Sequence, residues 1–260
     1  MATPDTFRDI ARYYDPIMSH VNYERWYFIA TALARLLPPE FVHLDAACGT
    51  GNLTKRLRKI GWNSMGVDLS EAMLRAGQKG AVHPVTAVAD LRALPFRGGV
   101  HYVTCLFDSL NFILTVEEMR AAIHEFGAAL KDGGVLYFDT VTERMITQHF
   151  HGQRWTEKNG RFSTTWSSHY DRATSTAETH IQVDRGPGCI VRERVFSTQE
   201  LMAALADAGF TLLGQFDAET WRPPGRRTTR VEYVATKGAT PHASRRFLEA
   251  KREIQGWLPA

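Results

Sequence analysis

Acids that directly follow apolar runs are the residues of this chain best suited to chemistry. The run Phe41, Val42, Leu44 ends on Asp45; a small-residue loop with Gly49 and Gly51 follows, then a helical pattern through Leu53, Leu57 and Ile60. A strand, a tight turn and a helix in that order leave free N–H groups, and room for a ligand, at the carboxyl end of a strand in an open parallel sheet. Asp68, in MGVDLS, comes a little under about 20 residues later, where an acid closing the second strand can take two ribose hydroxyls. The pattern points to a nucleoside-containing cofactor.

Glycine spacing separates two cofactor classes. The dinucleotide fingerprint needs a third glycine in G-x-G-x-x-G, and in GTGNLT that place is held by Thr54. Asp45 would also repel a pyrophosphate, whereas it suits a cation or an ammonium. S-adenosylmethionine carries both a sulfonium and an α-amine. The stretch Leu44, Asp45, Ala46, Ala47, Cys48, Gly49, Thr50, Gly51 resembles the first motif of class I S-adenosylmethionine-dependent methyltransferases, (L/V)D-x-G-x-G-x-G. Ala47 replaces its first glycine, which alanine can do if it keeps negative φ. A doubly wound domain holding another nucleotide is the alternative.

The resemblance covers about the first 140 residues and the last strands, and its strength is that several motifs recur in order. It implies an α/β, Rossmann-like fold: a seven-stranded, mostly parallel sheet, last strand antiparallel, with helices on both faces. It places Asp45, Ala47, Gly49 and Gly51 at the methionine part, Asp68 at the ribose, Leu69 and Met73 against the adenine, Asp90 on the adenine amino group and Leu91 stacked on the ring. Tyr14, on an N-terminal helix, would face the sulfonium, and Phe107 would border the cofactor at the end of the fourth strand. Simple packing of the N-terminal aromatics on the core is the competing reading.

The turn Asp108-Ser109-Leu110-Asn111 lies beside the methyl donor in that fold. It has no Asn-Pro-Pro-aromatic motif, no Pro-Cys nucleophile and no acids or histidines at metal-ligand spacing. Asp108 with Asn111 remains as the catalytic candidate, the carboxylate orienting an ammonium and taking up its proton. Binding cofactor or capping the turn is the plainer role of Asp108. His149 and His151 lack a third ligand nearby, so no metal is expected.

These residues need elements to hold them. The chain has 260 residues, 44% hydrophobic and 23% charged, enough for one sizeable core with a small lobe. Periodicity predicts helices over 5–14, 23–37, 115–131 and 241–258, a third strand over 85–88, a fourth over 102–107, a fifth over 135–140 and a last pair over 211–216 and 230–236. Capping boxes are expected at Thr115/Glu118 and Ser197/Glu200. Between them, three period-two runs (162–170, 177–183, 190–196), with a turn at Asp184-Arg185-Gly186, predict an inserted antiparallel sheet.

We therefore expect a cofactor-binding domain of residues 1–151 and 197–260, and a lid of residues 152–196 over the acceptor. Trp155, Trp166, His169, Tyr170 and Arg192 are its candidate acceptor contacts, with an oligomer interface or plain lid packing as the alternative. The net charge of +3 does not by itself imply nucleic acid. Three cysteines cannot form a closed disulfide set, and no stretch approaches the ~20 apolar residues of a membrane span, so a cytoplasmic protein is expected. The expected reaction is methyl transfer to nitrogen or oxygen of a small-molecule acceptor. An RNA or protein methyltransferase using WRPPGRRTTR, or a binding protein without catalysis, are the alternatives.

Overall fold

Alternation of strand and helix builds the frame. The computed structural model describes residues 5–79, 83–184, 186–238 and 243–258. Its first half runs α1 (Ala11–Ile17), α2 (Tyr23–Leu33), β1 (Val42–Ala46), α3 (Asn52–Lys59), β2 (Asn63–Asp68), α4 (Glu71–Gly77), β3 (Thr86–Val88), β4 (Val100–Cys105), α5 (Val116–Ala129) and β5 (Leu130–Val141). There follow α6 (Glu143–His149), β6 (Arg154–Asn159), β7 (Phe162–Asp171), β8 (Thr176–Val183), β9 (Gly188–Arg194), α7 (Thr198–Asp207), β10 (Phe210–Asp217), β11 (Arg230–Lys237) and α8 (Ala243–Trp257).

Seven strands form one sheet in the order β10-β11-β5-β4-β1-β2-β3. β11 alone runs antiparallel to its neighbours, and the order reverses between β1 and β4, which opens a crevice at their carboxyl ends. Neighbouring residues of the central strands enter opposite cores. Val103, Leu136, Phe138 and Tyr233 join the layer of α5 and α7, while Tyr102, Val135, Tyr137 and Val234 join that of α2, α3 and α8. Burial on both faces explains why these strands read as nearly continuous apolar runs.

Of the two expected capping boxes, Ser197 with Glu200 makes the full reciprocal one; at α5 the Thr115 hydroxyl accepts from the Glu118 N–H, but the Glu118 carboxylate meets Arg92. Three boundaries differ. Residues 6–10 form turns rather than the start of α1, with no side-chain cap at Ile10 and with Phe7 drawn into edge contacts with Tyr14 and Phe112. The inserted sheet has four strands, because β6 pairs with β7 along its whole length. α6, absent from the expectation, is capped by Thr142. Arg185 of the expected turn, and Pro241 and His242 of the expected tail helix, lie outside the described residues.

The inserted sheet is roofed by α1. Ile10 and Ile17 pack with Trp166, Ile181, Val183 and Val191, so the N-terminal segment and the lid form one apolar unit over the crevice. Among the described residues, no helix is long and apolar enough to cross a membrane.

Candidate active site

The cofactor loop leaves β1 through three left-handed residues at alternate positions. Ala47 has φ +58°, Gly49 φ +57° and Gly51 φ +73°. Alanine at 47 therefore does not keep the negative φ expected of it; the turn that follows Ala46 requires the left-handed region, where a Cβ costs energy. Ala47→Gly should raise stability by about 1 kcal/mol, read from the denaturation midpoint; an unchanged or lowered midpoint would show that the strain is absent.

Beneath the loop runs a polar ladder. Asp45 accepts from Thr54 Oγ1 (2.8 Å) and Thr104 Oγ1 (2.9 Å); Thr104 meets His43 Nε2 (3.0 Å), whose Nδ1 meets Ser64 Oγ (2.8 Å). Burial pushes His43 down to about 3, so its ring is neutral. Thr54, which displaces the third glycine of the dinucleotide pattern, thus has a positive role as a donor to Asp45. Burial also pushes Asp45 up to about 6, against the pull of those hydroxyls. Asp68 accepts from Gly49 N (2.7 Å) and Ser70 N (2.8 Å), which ties the end of β2 to the loop after β1. Gly77 of α4 packs where a Cβ would stand 2.2 Å from the Thr50 carbonyl, so this close approach of α4 to the loop requires glycine.

A cavity of about 600 Å³ opens above this floor. Asp45, Ala47, Gly49, Asp68, Leu69, Met73, Asp90 and Leu91 line one side. Tyr14, Tyr23, Trp26 and Phe107 form an aromatic wall, while Phe112, Leu114 and Ile190 are exposed around it. Gly51 does not line the cavity; it caps α3 instead. Asp90 is engaged by Arg92, which donates to Oδ1 through Nε (2.9 Å), holds its carboxyl below the usual range, and reaches on to Glu118. Sequence reasoning missed Arg92, Glu118, Tyr23, Trp26, Phe112 and Ile190; the even spread of aromatics gave no signal of which ones face a ligand.

The expected catalytic pair is placed differently. Phe107 and Asp108 both have positive φ, +61° and +52°, so the chain reverses sharply after β4 and turns Asp108 out of the cavity wall. Arg230 Nη1 donates to Asp108 Oδ1 (2.9 Å) and also to Asp139, which is fully buried. Burial keeps Asp139 raised to about 6 even so. The Asp108 carboxylate is thus held by the Arg230 guanidinium outside the cavity lining, away from the place beside the methyl donor expected of it. Asn111 is fully buried and spent on backbone: Nδ2 donates to Arg194 O (2.7 Å), and Oδ1 accepts from Val141 N (3.1 Å). It fastens the turn to β5 and the lid.

Most of the lid aromatics are also structural. Trp155 and Trp166 stack with centroids 5.6 Å apart, within or against the core under α1; Tyr170 packs with Val141 and Ile146; His169 is exposed beside His151. Of the five expected lid contacts, only Arg192 lines the cavity. Period two put the large residues on the face toward α1, because that face needed covering.

The cavity fits S-adenosylmethionine in chemistry as well as size. A buried acid lies at the loop for an ammonium, Asp68 lies at the end of β2 for a diol, and aromatic faces suit a sulfonium. Two buried polar atoms of lining residues, Trp26 Nε1 and Asp5 Oδ1, have no hydrogen-bond partner among the described residues. Because an ammonium needs Asp45 ionised, binding of S-adenosylhomocysteine should weaken as pH falls through about 6. Calorimetry across that range checks it, and pH-independent affinity would refute it.

Residues 44–134 match the model of a family described as a methyltransferase domain. The chain is 26% identical over 259 residues to YqeM, a proposed methyltransferase of Bacillus subtilis (strain 168), covering 90% of this chain and 98% of that one. Over 93 residues it is 32% identical to the dTDP-3-amino-3,4,6-trideoxy-alpha-D-glucopyranose N,N-dimethyltransferase of Streptomyces venezuelae, covering 36% and 39% of the two chains. A solved S-adenosylmethionine-dependent methyltransferase from Clostridium acetobutylicum ATCC 824 shares the fold with TM-score 0.77 and 23% identity, over 88% of this chain and 98% of that one.

Proposed function

We propose that this chain is a class I S-adenosylmethionine-dependent methyltransferase and that it methylates a nitrogen or oxygen of a small-molecule acceptor. The observation that carries the acceptor class is the shape of the site: one cavity of about 600 Å³, walled by Tyr14, Tyr23, Trp26 and Phe107 and bordered by the lid's Ile190 and Arg192. That volume suits a cofactor with a small partner rather than a folded surface. The sugar N,N-dimethyltransferase of Streptomyces venezuelae, similar over 93 residues, supports the same class.

Bound S-adenosylmethionine supplies an electrophilic methyl on a sulfonium leaving group. The chain's own contribution is to hold, align and keep dry. Asp45 and the loop backbone would hold the methionine amine, Asp68 the ribose hydroxyls, and Leu69, Met73 and Leu91 the adenine. Asp90 reaches the adenine edge only as part of its pair with Arg92. Phe107, fixed by the strained turn and by Trp26 (centroids 5.4 Å apart), would fill space beside the methyl and exclude water. With Asp108 outside the cavity lining, alignment rather than proton abstraction by that residue carries the acceleration.

The test is transfer of labelled methyl from S-adenosylmethionine to a panel of small amines, amino sugars and hydroxyl acceptors at low and high salt. Label on a small acceptor, insensitive to salt, is the expected outcome. The basic segment after β10 supports an RNA acceptor less well than its sequence suggests, since Arg230 is turned inward to Asp108 and Asp139. Label appearing on RNA alone, and lost with Arg226→Ala and Arg227→Ala, would replace the small-molecule reading.

A further inference from the structure

We propose that Asp15 of α1 is a positioning residue: its carboxylate ties α1, and through it the inserted sheet, to the cofactor loop, and that tie governs how long a bound cofactor is held. The consequence, though not the tie, rests on the proposed function.

Two donors converge on one oxygen. Thr50 Oγ1 donates to Asp15 Oδ1 (2.6 Å), Asn52 Nδ2 donates to the same oxygen (3.1 Å), and Asn52 Nδ2 also reaches Thr50 Oγ1 (3.2 Å). The three side chains close a triangle between α1, the loop after β1 and the first residue of α3. Thr50 and Asn52 line the cavity, as does Tyr14, whereas Asp15 lies outside the lining. It therefore acts on a ligand through its neighbours.

Nothing local asks for an acid at this place. Asp15 stands in the last turn of α1, where the helix dipole disfavours negative charge. The helix has seven residues, no side-chain cap at Ile10, and Pro16, which has no N–H to give to the turn before it. A helix so short and so poorly capped does not hold itself. Tertiary contacts hold it instead: Ile10 and Ile17 in the core of the inserted sheet, and Asp15 on the loop. The loop end is firm, because Thr50 is buried and its carbonyl stands against α4, where a Cβ on Gly77 would come within 2.2 Å.

The consequence concerns release. Tyr14 precedes Asp15, so fixing that backbone keeps the Tyr14 side chain in the cavity wall. The sheet packed on α1 brings Ile190 and Arg192 to the same cavity. Without the tie, α1 and the inserted sheet tilt off the crevice as one apolar unit, and a cofactor beneath them leaves sooner while entering as fast.

Stopped-flow dissociation of S-adenosylhomocysteine from the full chain tests this, with hydrogen exchange of the amides of residues 11–17 as the readout without ligand. Asp15→Ala should speed dissociation about tenfold and change association less than about twofold. Asp15→Asn, which keeps an oxygen for the Thr50 hydroxyl, should recover most of the loss. Thr50→Val should speed dissociation too, and the double variant Asp15→Ala/Thr50→Val should be no faster than Asp15→Ala, since both changes break one contact. In the cofactor-free chain, Asp15→Ala should lower protection of 11–17 about tenfold and leave that of 135–138 in β5 unchanged. Loss of protection in both segments is general destabilisation and overturns the proposal. Wild-type dissociation from Asp15→Ala, or effects of the two substitutions that multiply, overturns it as well, and Thr50→Val decides if Asp15→Ala does not fold. If the wild type binds no S-adenosylhomocysteine, the proposed function and the effect on release fall together, while exchange of 11–17 still decides the tie.

Discussion

Replacing Arg230 by leucine will destabilise the protein by about 3–5 kcal/mol at neutral pH, the usual cost of removing one partner from a buried ion pair. Arg230 is the cation shared by Asp108 and by the fully buried Asp139. Its guanidinium also lies 5.5 Å from the centroid of Phe107, so the cavity wall loses a support. The pH dependence has a definite sign. Asp139 already stands raised to about 6 in the folded chain, against an ordinary value near 4. Its contribution is thus present at low pH and lost as pH rises through about 6. Without Arg230 the folded value moves higher still, so the variant should be closest to wild type in mild acid and fall progressively behind above it. Adding Asp139→Asn should recover part of the loss. Denaturant titrations of the three chains at several pH values check this, and equal stability of Arg230→Leu and wild type would refute the account of the cluster.

Asp68→Ala should weaken S-adenosylhomocysteine binding about a hundredfold, equivalent to about 3 kcal/mol. The carboxylate has two tasks in the proposed complex, the ribose hydroxyls and the backbone of the loop. In the structure its oxygens accept from Gly49 N and Ser70 N, so they fix the loop before any ligand arrives. Asp68→Asn keeps a single acceptor oxygen and should fall between alanine and wild type. Calorimetry reads all three, with thermal denaturation as the control for folding. Undiminished binding to Asp68→Ala would remove the ribose contact and, with it, the assignment of the cavity's adenosyl end.

Much of the frame was legible because local signals and global packing agree in it. The apolar runs ending on Asp45 and Asp68 mark strands buried on both faces, and the Ser197/Glu200 box marks the start of α7 where the structure has it. The lid's alternation gave the existence of its sheet but not its orientation. Period two says that Trp155, Trp166 and Tyr170 share a face, and only the position of α1 decides that this face is covered by helix and core rather than by a ligand.

The sequence by itself determined the class of cofactor and where the acids and the glycine loop come together, since an acid, a small-residue loop and a second acid must meet wherever a strand-turn-helix is followed by a parallel neighbour. What tertiary structure decided was the acceptor side. Arg230 is 122 residues from Asp108 in sequence, and no local pattern announces that it would clamp that acid. The left-handed φ of Ala47 and of Phe107 and Asp108 belongs to the same category. Backbone strain and charge pairing across distant segments are set by how the layers close on one another, and closure is not written in any short stretch of residues.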